Sequence, residues 1–174
     1  MATVADIPDG ISLEYSSLRE EILKRIELRQ QLISITLTLA GLFLSFGLTT
    51  ELVPLIYPPI AAFLAIGWAQ NDGHIGYIAA YIRDHIEKPS NGLDYGLHFE
   101  TVTEDNRKKD KKVGWGRFIV MSHSGLFLLT QAMAVGVEIA KSPSLPYPPL
   151  KWILLAIDLI SIVVAAWATS KSRQ

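Results

Sequence analysis

Four apolar stretches, 32–48, 58–77, 118–140 and 150–168, alternate with polar sequence. A helix crosses ~30 Å of hydrocarbon with about 20 mostly apolar residues, so these stretches have roughly the length of membrane spans. The first is short, and Thr49 and Thr50 extend it. Ahead of it, Leu18, Ile22, Ile26 and Ile33 recur at spacings of four and seven, one face of a helix. Glu20 with Lys24 and Glu21 with Arg25 stand four apart on the solvated side. No glycine or proline interrupts 12–40. The pattern predicts one helix of about 50 Å, capped by Ser12, that passes into the first span near Leu32.

The second span is expected to start at Pro58, a residue suited to a helix's first turn. Its helix continues past the span in an apolar stripe of Ile75, Ile78, Ala79, Ile82 and Ile86, with Arg83, Asp84 and Glu87 outside it. Lys88-Pro89-Ser90-Asn91-Gly92 ends it. In the polar segment that follows, Leu93, Tyr95, Leu97 and Phe99 alternate, as a short strand or an interfacial loop does. Tyr57-Pro58-Pro59 and Tyr147-Pro148-Pro149 precede the second and fourth spans, either an internal repeat with tyrosines at the membrane interface or a chance likeness.

The expected fold is all-α: a four-span helical membrane protein whose long cytoplasmic N-terminal helix is continuous with the first span. Residues 1–31 form a cytoplasmic tail and amphipathic helix. Residues 32–88 are a first helical hairpin with a cytoplasmic extension, 89–115 a basic cytoplasmic segment, and 116–174 a second hairpin with a short cytoplasmic tail.

Charge sets the orientation. Of 16 Lys and Arg, only Lys141 and Lys151 lie at the turn that joins the third and fourth stretches, and none lies between the first and second. The other basic residues fall on the opposite side, the positive-inside pattern of a multi-pass protein of the inner (plasma) membrane with both termini cytoplasmic. A soluble bundle with buried helices is the rival reading. A hydrophobic content of 49% with charge so segregated favours lipid. The absence of cysteine excludes disulfides and Cys-based metal sites. Residues 1–10 carry neither the basic residues nor the apolar core of a signal peptide, and no lipidation signal is seen.

The sharpest candidate for chemistry is Asp158, in the middle of the fourth stretch. An acid at bilayer centre costs about 2.5–3.5 kcal/mol on insertion scales, so it should face a partner or water. At 1.5 Å per residue it lies about 12 Å from the outer edge, and Gln131 of the third stretch lies about 10 Å deep. The two are expected at one level of antiparallel neighbours. Asp158 is then either a pore-lining or ion-binding acid, forming a cation-favouring ring in an oligomer, or a protonated or hydrogen-bonded acid that fixes helix packing to Gln131, Thr130 or Ser161. Ser122-His123-Ser124 forms a second intramembrane polar group. His123 would titrate near neutral pH if water reached it, but no acid stands near it in sequence.

Asn71, Asp72 and His74 form a polar patch at the expected cytoplasmic mouth, too few ligands for a metal on their own. Arg107, Lys108, Lys109, Lys111 and Lys112 are suited to anionic lipid headgroups and topology. Their sharper reading is a polyanion, a cytoplasmic nucleotide or nucleic-acid signal. Leu18, Ile22 and Ile26 serve either self-association in a homo-oligomeric coiled coil or packing on the chain's own central segment. Gly41 with Ser45, Ala61 with Ala65, and Ala132 with Gly136 have the spacing of close helix packing. No catalytic signature, cofactor motif or metal site is expected.

The stretch Leu13-Glu14-Tyr15-Ser16-Ser17-Leu18-Arg19-Glu20-Glu21-Ile22 running into the first span, with Pro58-Pro59 to Asn71-Asp72 in the second, resembles the small bacterial multi-span effectors of the SLATT and four-span type found with nucleotide-signalling antiviral defence systems. That resemblance implies an oligomeric channel or pore-forming effector gated from the cytoplasm. The alternative is a membrane-anchored interaction or scaffold subunit without a pore. A small proton- or ion-coupled transporter is a third reading, and needs Asp158 and His123 on one water path.

Overall fold

A computed structural model describes residues 8–49, 53–88, 95–113, 115–141 and 149–171, with the side chains of 110–124 and 141 outside the described set. Among the described residues the chain is helical and has no strand. Helix α1 is Asp9–Gly47, α2 is Tyr57–Tyr81, α3 is Phe99–Val113, α4 is Trp115–Lys141 and α5 is Pro149–Lys171. A 3-10 turn, Val53–Ile56, precedes α2, and a π-helical segment, Ile82–Glu87, follows it. Among the described residues three stretches are long and apolar enough to cross a membrane: Asp9–Gly47, Val53–Glu87 and Pro149–Lys171. The described apolar part of α4, Gly125–Ala140, is shorter.

Helix α1 is a single element of 39 residues, about 58 Å long. It starts earlier than the sequence suggests. The Ser12 N–H donates to the Pro8 carbonyl at 3.1 Å, so Ser12 sits inside the first turn and does not cap it. Asp9 brings a negative charge to the helix N-terminus, where the dipole favours it. At the other end a Cβ on Gly47 would lie 2.5 Å from the Pro54 ring, so the 3-10 turn closes on α1 only where no side chain intervenes.

The chain divides into two compact units, Met1–Leu28 with Asn71–Ile119, and Arg29–Gln70 with Val120–Gln174. The first unit is built on buried Ile22, Ile78, Ile82 and Ile86, with Leu18 and Ile26 packed against them. Ile22 is buried within the chain, and Leu18 and Ile26 are partly buried against the same cluster. The stripe of α2 continues past Tyr77 at the spacing of the α1 stripe, and the two apolar faces bury each other.

Two further expectations change. Phe99 opens α3 instead of ending a strand, while Leu93 is outside the described residues. Glu87, placed outside the apolar stripe by sequence, is buried. It ends a π-helical segment closed by the five-residue bond from Lys88 N–H to the Arg83 carbonyl, 3.1 Å.

The second unit has two apolar clusters. One joins Ala62, Ala65 and Trp68 to Phe127 and Ala165. The other joins Ala40, Tyr57 and Ala61 to Ala134. Of the three small-residue pairs, Ala61 with Ala65 is buried, whereas a Cβ on Gly41 or Gly136 would meet nothing within 4 Å.

Candidate functional site

Helix α5 carries its polarity reversed. Its buried residues are Lys151, Asp158, Ser161, Ala165, Ala168 and Thr169, at spacings of three, four and seven, so one stripe of polar and small side chains faces inward. Its exposed residues include Trp152, Ile153, Leu159, Ile160, Val163 and Trp167. In water this arrangement exposes the apolar surface whose burial drives folding. In lipid it is the stable one, because hydrocarbon solvates the large side chains and the polar groups find the interior.

Asp158 is 1% exposed and Gln131 0%. Neither carboxylate oxygen of Asp158, nor the amide oxygen or nitrogen of Gln131, makes a hydrogen bond. The packing bonds considered for Asp158 are therefore not formed. Thr130 Oγ1 donates to the Leu126 and Phe127 carbonyls, 3.0 and 3.1 Å, and accepts from the Tyr57 hydroxyl at 2.9 Å. Ser161 Oγ donates to Ile157 O at 2.9 Å. Asp158 lies on the inner stripe of α5 and not on its outer face.

Two turns from these residues is a pair that the sequence reading missed. Lys151 Nζ lies 2.6 Å from Glu138 Oε1, with the two side chains 4% and 0% exposed. The sequence marks Lys151 only as a charge of the turn between the third and fourth stretches. The signal was present, since Glu138 is seven residues after Gln131 and Lys151 seven before Asp158. Tyr57, expected at the membrane interface, is fully buried and holds the Thr130 hydroxyl instead. Tyr147 and Pro148 of the matching motif lie outside the described residues.

The first unit holds a second polar assembly, also missed. Glu87 accepts from the backbone N–H of Glu100 and of Thr101, and from Thr101 Oγ1, each at 2.7 Å. A carboxylate thus satisfies the orphan donors at the start of α3, with the sign the helix dipole favours. Arg19 pairs with Glu100 and stacks over the Phe99 ring, 4.0 Å from its centroid. Burial raises the Glu100 carboxyl above its ordinary value, and the Arg19 guanidinium draws it back. These contacts fix α3, whose sequence TEDNRKKDKK has almost no apolar residue of its own to bury.

The remaining candidates separate. His74 lines a shallow cleft of about 410 Å³ with Glu14, Glu21, Tyr77 and Tyr81. Asn71 and Asp72 are half-buried on α2 beside it in sequence. Arg107, Lys108 and Lys109 are exposed on α3, with Arg107 3.8 Å from Glu104. The side chains of Lys111, Lys112, Ser122, His123 and Ser124 lie outside the described residues, although their backbone is helical. Among the described residues no group of three or more His, Asp or Glu could hold a metal. No family model, curated protein or solved structure matches the chain.

Proposed function

We propose that the chain is a four-span protein of the inner membrane, with both termini and its amphipathic N-terminal helix in the cytoplasm. In this reading it acts as a homo-oligomeric channel or pore-forming effector gated from the cytoplasmic side. The observation that carries it is the reversed polarity of the second unit. Gln131, Glu138, Lys151 and Asp158 are buried, while Phe63, Leu159, Ile160 and Trp167 are exposed. A basic–aromatic contact fits the orientation. Lys171 over Trp167, 4.8 Å, stands at the end of the fourth stretch assigned to the cytoplasmic side, where Lys, Arg and Trp gather.

Gating would come from the first unit. Its α3 is held by Glu87 and Arg19 and presents Arg107, Lys108 and Lys109 to solvent. A nucleotide or nucleic-acid signal acts there only through different affinities for the closed and open states. This is the layout of the four-span defence effectors that the sequence resembles. Oligomer contacts, in this reading, use outward-facing side chains and leave Leu18, Ile22 and Ile26 inside the subunit.

The test is thallium or potassium flux into liposomes holding the purified full-length protein. Flux that rises with an added nucleotide signal and changes in Asp158→Asn supports the channel. An intact oligomer that never conducts, with or without nucleotides, overturns it. The alternative is a membrane-anchored interaction subunit without a pore, and one observation favours it: the outer face of α5 carries large apolar side chains and no polar stripe. That role predicts that Asp158→Asn alters assembly and that no variant alters conductance.

A further inference from the structure

The Glu138–Lys151 ion pair fixes the register of α4 against α5. Both helices run inward from it, α4 toward lower and α5 toward higher residue numbers. Seven residues advance a helix by about 10 Å and return to nearly the same face, with a drift of about 20°. Seven residues before Glu138 is Gln131, and seven after Lys151 is Asp158. The two therefore stand at one level, on the faces that already meet at the ion pair. Both are buried, and all four of their polar side-chain atoms lack a hydrogen bond.

A buried carboxylate without a partner is strongly unfavourable and is neutralised by a proton or by a cation. The chain offers little to neutralise this one. Lys151 is committed to Glu138, and on α5 the next basic residue is Lys171, thirteen positions beyond Asp158 and set against Trp167. Between Arg29 and Arg83 there is no Lys or Arg at all. Asp158 Oδ1 and Oδ2 with Gln131 Oε1 supply hard oxygen donors, the ligands of alkali and alkaline-earth cations. One carboxylate balances one positive charge. A divalent ion would leave a net charge in hydrocarbon and would hold its waters more tightly. We propose that Gln131 and Asp158 enclose a binding site for one small monovalent cation within each α4–α5 hairpin. The inference rests on lipid being the solvent of the second unit, and it names the ion class that the proposed channel handles.

Equilibrium binding of radiolabelled sodium and rubidium to the detergent-purified full chain, in a choline chloride background, tests it. The wild-type chain should bind at least one of the two ions saturably, at one site per chain. Asp158→Asn should abolish binding, and Gln131→Leu should weaken it about tenfold through the lost charge-assisted contact. Helix content and elution volume show whether each variant is folded. Modification of Asp158 by a hydrophobic carbodiimide in the wild-type chain is the second measurement and needs no variant. Its rate should fall as the bound cation is added at constant pH. Absence of saturable binding by the wild-type chain, or equal binding by folded Asp158→Asn, overturns the inference. So does a carbodiimide rate that follows pH and ignores every alkali cation, because the site then holds a proton only. Binding without liposome flux would leave the site standing and remove the channel, and flux without binding would do the reverse.

Discussion

Ile22, Ile78, Ile82 and Ile86 are inside the first unit, where Glu21 pairs with Arg25 on the surface. In the second unit Gln131, Glu138, Lys151 and Asp158 are inside, and Phe63, Leu159, Ile160 and Val163 are outside. Both units bury apolar side chains, and the second adds a stripe of buried polar ones along α4 and α5. The contrast shows that burial reports the solvent as much as the residue. A stripe of polar side chains inside with large apolar ones outside, as on α5, is the arrangement that lipid favours. It also explains where the ion pairs differ. Arg25–Glu21 is exposed and contributes little, whereas Glu138–Lys151 is dry and each partner depends on the other.

The largest way to break this contrast is Lys151→Ala. It strands Glu138 in the second unit and should cost about 3–5 kcal/mol, read as loss of thermal stability in detergent. Replacing both partners with methionine should restore most of that stability. Next is Leu159→Arg, at a side chain 69% exposed. In lipid it should cost about 2.5–3.5 kcal/mol, seen as a fall in the membrane-inserted fraction, whereas on a water-facing helix it would shift stability by no more than about 0.5 kcal/mol.

Smaller effects belong to the first unit. Glu87→Ala removes the acceptor for three donors at the start of α3 and should cost about 2 kcal/mol, with faster amide exchange at Glu100 and Thr101. The smallest is a pH effect. Burial raises the folded value of Glu100, so its contribution to stability is complete below the ordinary carboxylate range and is lost as pH rises through the raised value. Denaturation of the first unit followed across that window should show the slope, and Glu100→Gln should flatten it.

Much of the helical layout could be read from periodicity. The unbroken α1 followed from 12–40 lacking proline and glycine, and α2 began where Pro58 placed it. Depth arithmetic paired Asp158 with Gln131, and both are buried. What escaped were features made by contacts distant in sequence. Helix α3 has no apolar stripe to announce it and depends on Glu87, thirteen residues earlier than Glu100. The stripe at Leu18, Ile22 and Ile26 announced an apolar partner without saying which, and the partner is the chain's own α2 extension. Glu138 with Lys151 was overlooked because charges near a turn read as solvated.

The most direct test of lipid as the solvent of the second unit uses the absence of cysteine, which makes single substitutions clean labelling sites. A spin label attached at Leu159→Cys or Val163→Cys, in liposomes, should collide with dissolved oxygen and be shielded from a water-soluble nickel complex. A label at Glu20→Cys on α1 should behave in the opposite way. If the two α5 labels meet the nickel complex as readily as the one on α1, these helices face water and the account fails.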